Sequence, residues 1–83
     1  MIELKFHREL YDGFAVDEAV KAFAEFATAA LEEQPSGFVV RLSATPVAAE
    51  SGFDEATIAA ELGNYALGKT IERAEKATSG GGA

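Results

Sequence analysis

The sequence has no cysteine, no tryptophan, a single histidine, and 7 basic side chains against 14 acidic ones. Each shortage closes off a class of function. Without cysteine there is no disulfide staple, thiolate zinc site, iron–sulfur cluster or cysteine nucleophile. One histidine and scattered carboxylates offer no HExxH pair, no paired-ligand spacing and no EF-hand loop, so neither a metal nor a cofactor is expected. A net charge of −7 opposes nucleic-acid binding, which needs clustered Lys and Arg to displace phosphate counterions. No apolar run approaches the about 20 residues that span a bilayer. The start, Met1-Ile2-Glu3-Leu4-Lys5, lacks the basic region and apolar run of a signal peptide. The expectation is a cytoplasmic protein with no nucleic-acid or membrane partner.

What is present is a short chain of 83 residues with 48% hydrophobic content. One domain, spanning 1–76, is expected. The tail 77–83, ending Ser79-Gly80-Gly81-Gly82-Ala83, has nothing to bury and is expected to be disordered. A domain this small buries only about 60–65% of its unfolded surface. Compact helix packing or association with another chain is the usual support.

Residues 2–6 alternate, with Ile2, Leu4 and Phe6 on one face and Glu3, Lys5 and His7 on the other, which predicts a half-buried strand. Asp12-Gly13 predicts a turn. Asp17 reads as the N-cap of a helix running to about Glu33, where Pro35-Ser36-Gly37 would stop it. Its apolar face, with Phe23, Phe26 and many alanines, is wider than the stripe of an ordinary surface helix. Phe38–Leu42 is β-branched and aromatic and predicts a second strand ending near Ser43. A loop over Thr45–Gly52 follows. Ser51-Gly52-Phe53-Asp54 resembles a capping box and opens a second helix to about Lys76. That helix has one stripe at Ile58, Leu62, Tyr65 and Ala66 and another at Ala60, Leu67, Ile71 and Ala74. Gly63 and Gly68 lie inside it, each costing about 1 kcal/mol relative to Ala.

The fold class is therefore α+β, a two-layer β-α-β-α domain. A two-stranded sheet is rarely stable alone, so a homodimer is expected, with a sheet that a second copy could extend. The acid is concentrated over Tyr11–Gln34, at −5, and Glu50–Glu61, at −4, while the first ten residues are neutral. This reads as a solvated face with helix-dipole compensation, or alternatively as a docking surface for a basic partner.

No nucleophile motif accompanies His7, and a general base needs a nucleophile and an orienting group beside it. Glu32/Glu33 and Asp54/Glu55 are adjacent, so on a helix neither pair converges on one point. The expectation is a non-catalytic binding protein, with a small enzyme or subunit using His7 as the less favoured reading. Asn64, poorly suited to mid-helix, and Tyr65, an apolar body with a polar tip, are candidate interaction residues. So are Phe38, Val40 and Leu42 on the second strand, since an exposed strand edge can dock a peptide by β-addition.

The leading strand, Tyr11, and Asp17-Glu18-Ala19-Val20-Lys21-Ala22-Phe23, together with Glu61-Leu62-Gly63-Asn64-Tyr65-Ala66-Leu67, resemble the small HxsD-like proteins over residues 2–74. That resemblance implies an accessory protein of the His-Xaa-Ser peptide-modification system, partnered by a radical SAM maturase and its substrate peptide. It implies no catalytic residues. It also implies more strand between the two helices than Phe38–Ser43 supplies.

Overall fold

A computed structural model describes residues 1–82, with side chains as far as residue 75. The tail over 77–83 expected to be disordered lies outside the residues described in full. The element order is β1 (Ile2–His7), α1 (Gly13–Ala22), β2 (Ala27–Gln34), β3 (Gly37–Ala44), α2 (Pro46–Glu50) and α3 (Glu55–Gly82). The class is α+β, but with three strands: an antiparallel sheet in the order β1-β3-β2.

The largest correction concerns the first helix. Asp12, not Asp17, is its N-cap, and the Asp12 carboxylate accepts from the N–H groups of Phe14 at 2.8 Å and Ala15 at 3.2 Å. Asp17 instead lies within α1 and pairs with Lys21 at 2.8 Å. The helix ends at Ala22, and Ala27–Gln34 crosses to the sheet as β2. Alanine, leucine and glutamate there favour helix by propensity. Pairing overrides that preference, because β2 lies against β3 over eight residues, from Ala27↔Ala44 to Gln34↔Gly37. Pro35 and Ser36 form the two-residue loop of the resulting hairpin.

β3 occupies the centre, where a strand is paired on both edges, and its inner face is covered by the helices. Its sequence suits that position. Phe38, Val40 and Leu42 point to the helical layer and Val39, only 4% exposed, to the other side. On the inner face Ile2, Leu42 and Ala29 stand in one row and Leu4, Val40 and Leu31 in the next. The outer face is polar. There Arg41 bonds Glu3 of β1 at 3.1 Å and Glu32 of β2 at 2.9 Å, joining all three strands. Exposed pairs of this kind are individually worth at most about 1 kcal/mol, so their main effect is on register.

The expected loop after β3 contains a short helix. Thr45 caps α2, accepting from Ala48 N–H at 3.3 Å and donating to the Glu25 carbonyl at 2.7 Å, with Pro46 in the first turn. Gly52, at φ +82°, lets the chain reverse after α2. α3 opens at Glu55, with Asp54 accepting from Thr57 N–H at 2.8 Å. Ile58, Ala59, Leu62 and Ala66 of α3 then close on Val16 and Ala19 of α1 and on the inner sheet face.

Two carboxylates at the head of α3 are expected to make the fold acid-sensitive. The N–H and hydroxyl of Thr57 hold Asp54 below the usual carboxylate range. The Met1 ammonium, and then the Ala44 N–H, do the same for Glu55. A lowered folded pKa adds stability above the unfolded value, and that stability is lost as pH falls through the folded one. The urea midpoint is thus expected to fall between pH 5 and about pH 3. It should fall less in an Asp54→Asn/Glu55→Gln variant. Equal acid sensitivity in the two proteins would show that these groups are not responsible.

Candidate functional site

Asp12 joins the start of α1 to α3. Besides capping α1, its carboxylate pairs with Arg73 of α3 at 3.0 Å, and its N–H donates to the Thr70 hydroxyl at 3.1 Å. Arg73 in turn lies over the Phe14 ring at 4.9 Å. These contacts tie the start of α1 to α3. Gly13 allows the close approach: a Cβ there would come within 2.9 Å of the Phe38 ring.

Beside this junction an open groove of about 560 Å³ runs between α1 and the far end of β2. Phe38 forms its floor, with the Arg8 guanidinium 4.8 Å above the ring. Phe14, 69% exposed, and Leu31, 38% exposed, form the apolar walls. Asp17 and Glu33 lie at its margin, Glu33 paired with Arg8 at 3.0 Å. Arg8 also donates to the Gln34 carbonyl at 2.8 Å, clamping the hairpin at one end of the groove. β2 is an edge strand, with no strand on its outer side among the described residues. Free main-chain groups and an apolar groove therefore lie side by side.

A smaller cleft of about 290 Å³ opens at the opposite end of α1, among Phe23, Phe26, Phe53 and Ile58. Its rings are already engaged edge-to-face, Phe26 with Phe53 at 5.7 Å and Phe23 with Tyr65 at 5.9 Å. These contacts make it an extension of the core more than a receptor.

The residues singled out from sequence do not converge. Phe38, Val40 and Leu42 are buried on the central strand, whose two edges are both taken by β1 and β2. They cannot form a docking edge, and only Phe38 reaches the groove, as its floor. The reason is β2: once it pairs with β3, the free edges pass to β1 and β2. Asn64 and Tyr65 are exposed on α3, Tyr65 beside Phe23 with the Lys69 ammonium 5.7 Å from its ring. His7 stands on the outer sheet face with Glu3 and Lys5, as the alternation predicts, and among the described residues no side chain hydrogen-bonds its imidazole. No group of three or more His, Cys, Asp or Glu that could hold a metal occurs among the described residues. Nor is any helix there long and apolar enough to cross a membrane.

Phe14 and Leu31 were not legible as site residues. Leu31 becomes a groove wall only because residues 27–34 are a strand, and Phe14 only because α1 starts five residues earlier than Asp17 suggests. No protein-family model, no curated protein and no solved structure matches the chain.

Proposed function

We propose that this chain is a non-catalytic binding protein that receives an extended peptide along the free edge of β2. The observation that carries this reading is the groove walled by Phe14 and Leu31 directly beside that edge. β-Addition needs both: main-chain hydrogen bonds give affinity, and pockets for alternate side chains give selectivity. Glu32 and Glu33 of β2 are already paired with Arg41 and Arg8, so attraction for a basic ligand comes from the charge of −7 on the chain as a whole. The fitting ligand is a peptide with an apolar anchor flanked by Lys or Arg.

The resemblance to HxsD-like proteins supplies a setting. The peptide would be the substrate of a radical SAM maturase, and this chain the accessory that presents it. In support, two strands rather than one stand between α1 and α3, the larger amount of strand that the resemblance implies. A second reading, a homodimerising module without a peptide ligand, draws on the outer face of α3.

Fluorescence anisotropy with labelled ten-residue peptides of alternating apolar and Lys residues tests the primary reading. Saturable binding is expected, weakened about tenfold or more by Leu31→Glu, the effect of removing a central contact worth ~1.4 kcal/mol. A counterpart with Glu in place of Lys should not bind. Absence of saturation, or unchanged affinity in Leu31→Glu, would overturn the assignment of the groove.

A further inference from the structure

α3 is apolar on two opposite sides. Its inner side holds Ile58, Ala59, Leu62 and Ala66 against the body. On the other side Ala60, Asn64, Leu67, Ile71 and Ala74 are all exposed, Leu67 by 41% and Ile71 by 49%. Their spacing alternates four and three residues, the repeat of a coiled-coil seam. With Asn64 and Ile71 in the first core position of the heptad, Ala60, Leu67 and Ala74 take the second. A β-branched residue at the first and leucine at the second favour two parallel strands, and one Asn at a first position fixes register. The buried residues Leu62 and Ala66 then lie on the side of the helix away from the seam, so the body of the domain does not obstruct it.

Two independent features fit a second helix there. Gly63 and Gly68 flank the seam, and a Cβ added at either meets nothing within 4 Å in the single chain. Nothing in the chain's own packing asks for glycine at these positions, although each weakens the helix by about 1 kcal/mol. Close approach of another backbone does ask for it. Charge gives the second. Between Glu61 and Arg73 two acids, Glu61 and Glu72, are matched by Lys69 and Arg73, so this stretch is neutral on a chain of −7. It is a surface on which two identical acidic chains can meet without repulsion at the contact. A strongly basic partner would find no attraction along it.

We propose that α3 pairs in parallel with α3 of a second copy, with the two Asn64 amides opposite each other and Leu67 and Ile71 in the flanking layers. From Ala60 to Ala74 the seam is about 21 Å long. Short seams hold weakly, so monomer and dimer should exchange with concentration. This proposal stands apart from the peptide groove, none of whose lining residues belongs to α3.

Sedimentation equilibrium of the full chain over about 1–500 μM should show the mass rising from 8.7 kDa towards twice that value. A Leu67→Glu/Ile71→Glu variant, altered only on the exposed face, should remain at 8.7 kDa with an unchanged circular dichroism spectrum. Orientation is read separately, because the chain has no cysteine of its own. In a parallel pair, each of Ala60→Cys, Asn64→Cys and Ile71→Cys should link to its own counterpart with a short thiol cross-linker. An antiparallel pair allows at most one of the three. A wild-type mass constant at 8.7 kDa, a double variant that still dimerises, or cross-linking at one position or none overturns the proposal.

Discussion

Gly37→Ala is expected to leave much of the protein unfolded at room temperature. Gly37 opens β3 directly opposite His7, where the hairpin loop passes under the end of β1. A Cβ at this position would overlap the Phe6 carbonyl oxygen and lie 3.0 Å from the Arg8 nitrogen. Both are backbone atoms, so no side-chain rotation relieves the contact. Arg8 N–H also donates to the Ser36 carbonyl at 3.0 Å, which ties the same two segments together. To admit the methyl group, β1 must move away from β3 and draw Phe6 out of the core. Overpacking a core commonly costs about 1–3 kcal/mol, and losing a buried phenylalanine about 3–5 kcal/mol. A core of this size rarely supplies more than about 3–5 kcal/mol in total. Urea titration followed by circular dichroism provides the measurement. A midpoint equal to that of the wild type would mean that β1 and the hairpin do not meet as described.

Leu62→Ala carries the second largest expected effect. Leu62 is one of four large side chains with no exposed surface, alongside Leu42, Val16 and Val40. It is where α3 meets α1 and the sheet together. Replacing a buried leucine by alanine removes transfer energy and leaves a cavity, about 2–5 kcal/mol in all. At about 4–8 °C per kcal/mol, the melting temperature should fall by about 10 °C or more. Leu67, five residues on, lies on the opposite face, and in the monomer Leu67→Ala should change stability by no more than about 0.5 kcal/mol. The contrast separates the face of α3 that folds the domain from the face assigned to a second copy. Similar losses at the two positions, measured at low concentration, would contradict that division.

The parts of this fold that were legible are those where local chemistry and burial agree. β1 alternates cleanly, and Phe38–Leu42 is apolar enough to mark a strand whatever surrounds it. The exposed stripe through Ala60, Leu67 and Ile71 is also visible as spacing alone. β2 was not legible, for a specific reason. Between Phe14 and Gln34 there is no proline or glycine to interrupt the apolar pattern. Alanines followed by Leu31-Glu32-Glu33 read as the last turns of a helix. What makes them a strand is their partner, since β3 needs a second neighbour and the Pro35-Ser36 loop brings this segment alongside it.

The candidate site followed from that same event. With a long first helix, Leu31 is one more apolar helical residue and Phe38–Leu42 has a free edge. With β2 in the sheet, the edge moves outward, Leu31 becomes a groove wall, and Phe38 becomes a floor beneath Arg8.

The sequence by itself determined the α+β class, the absence of cysteine chemistry, the acidic balance and the two-faced character of the last helix. These depend on composition and period, which no packing arrangement can alter. Only the tertiary structure decided that Ala27–Gln34 is a strand, that β3 is central, and that the groove lies beside the edge strand β2. Strand pairing is a contract between distant segments, and hydrogen bonds to a neighbour outweighed the few tenths of a kcal/mol per residue by which this stretch prefers a helix.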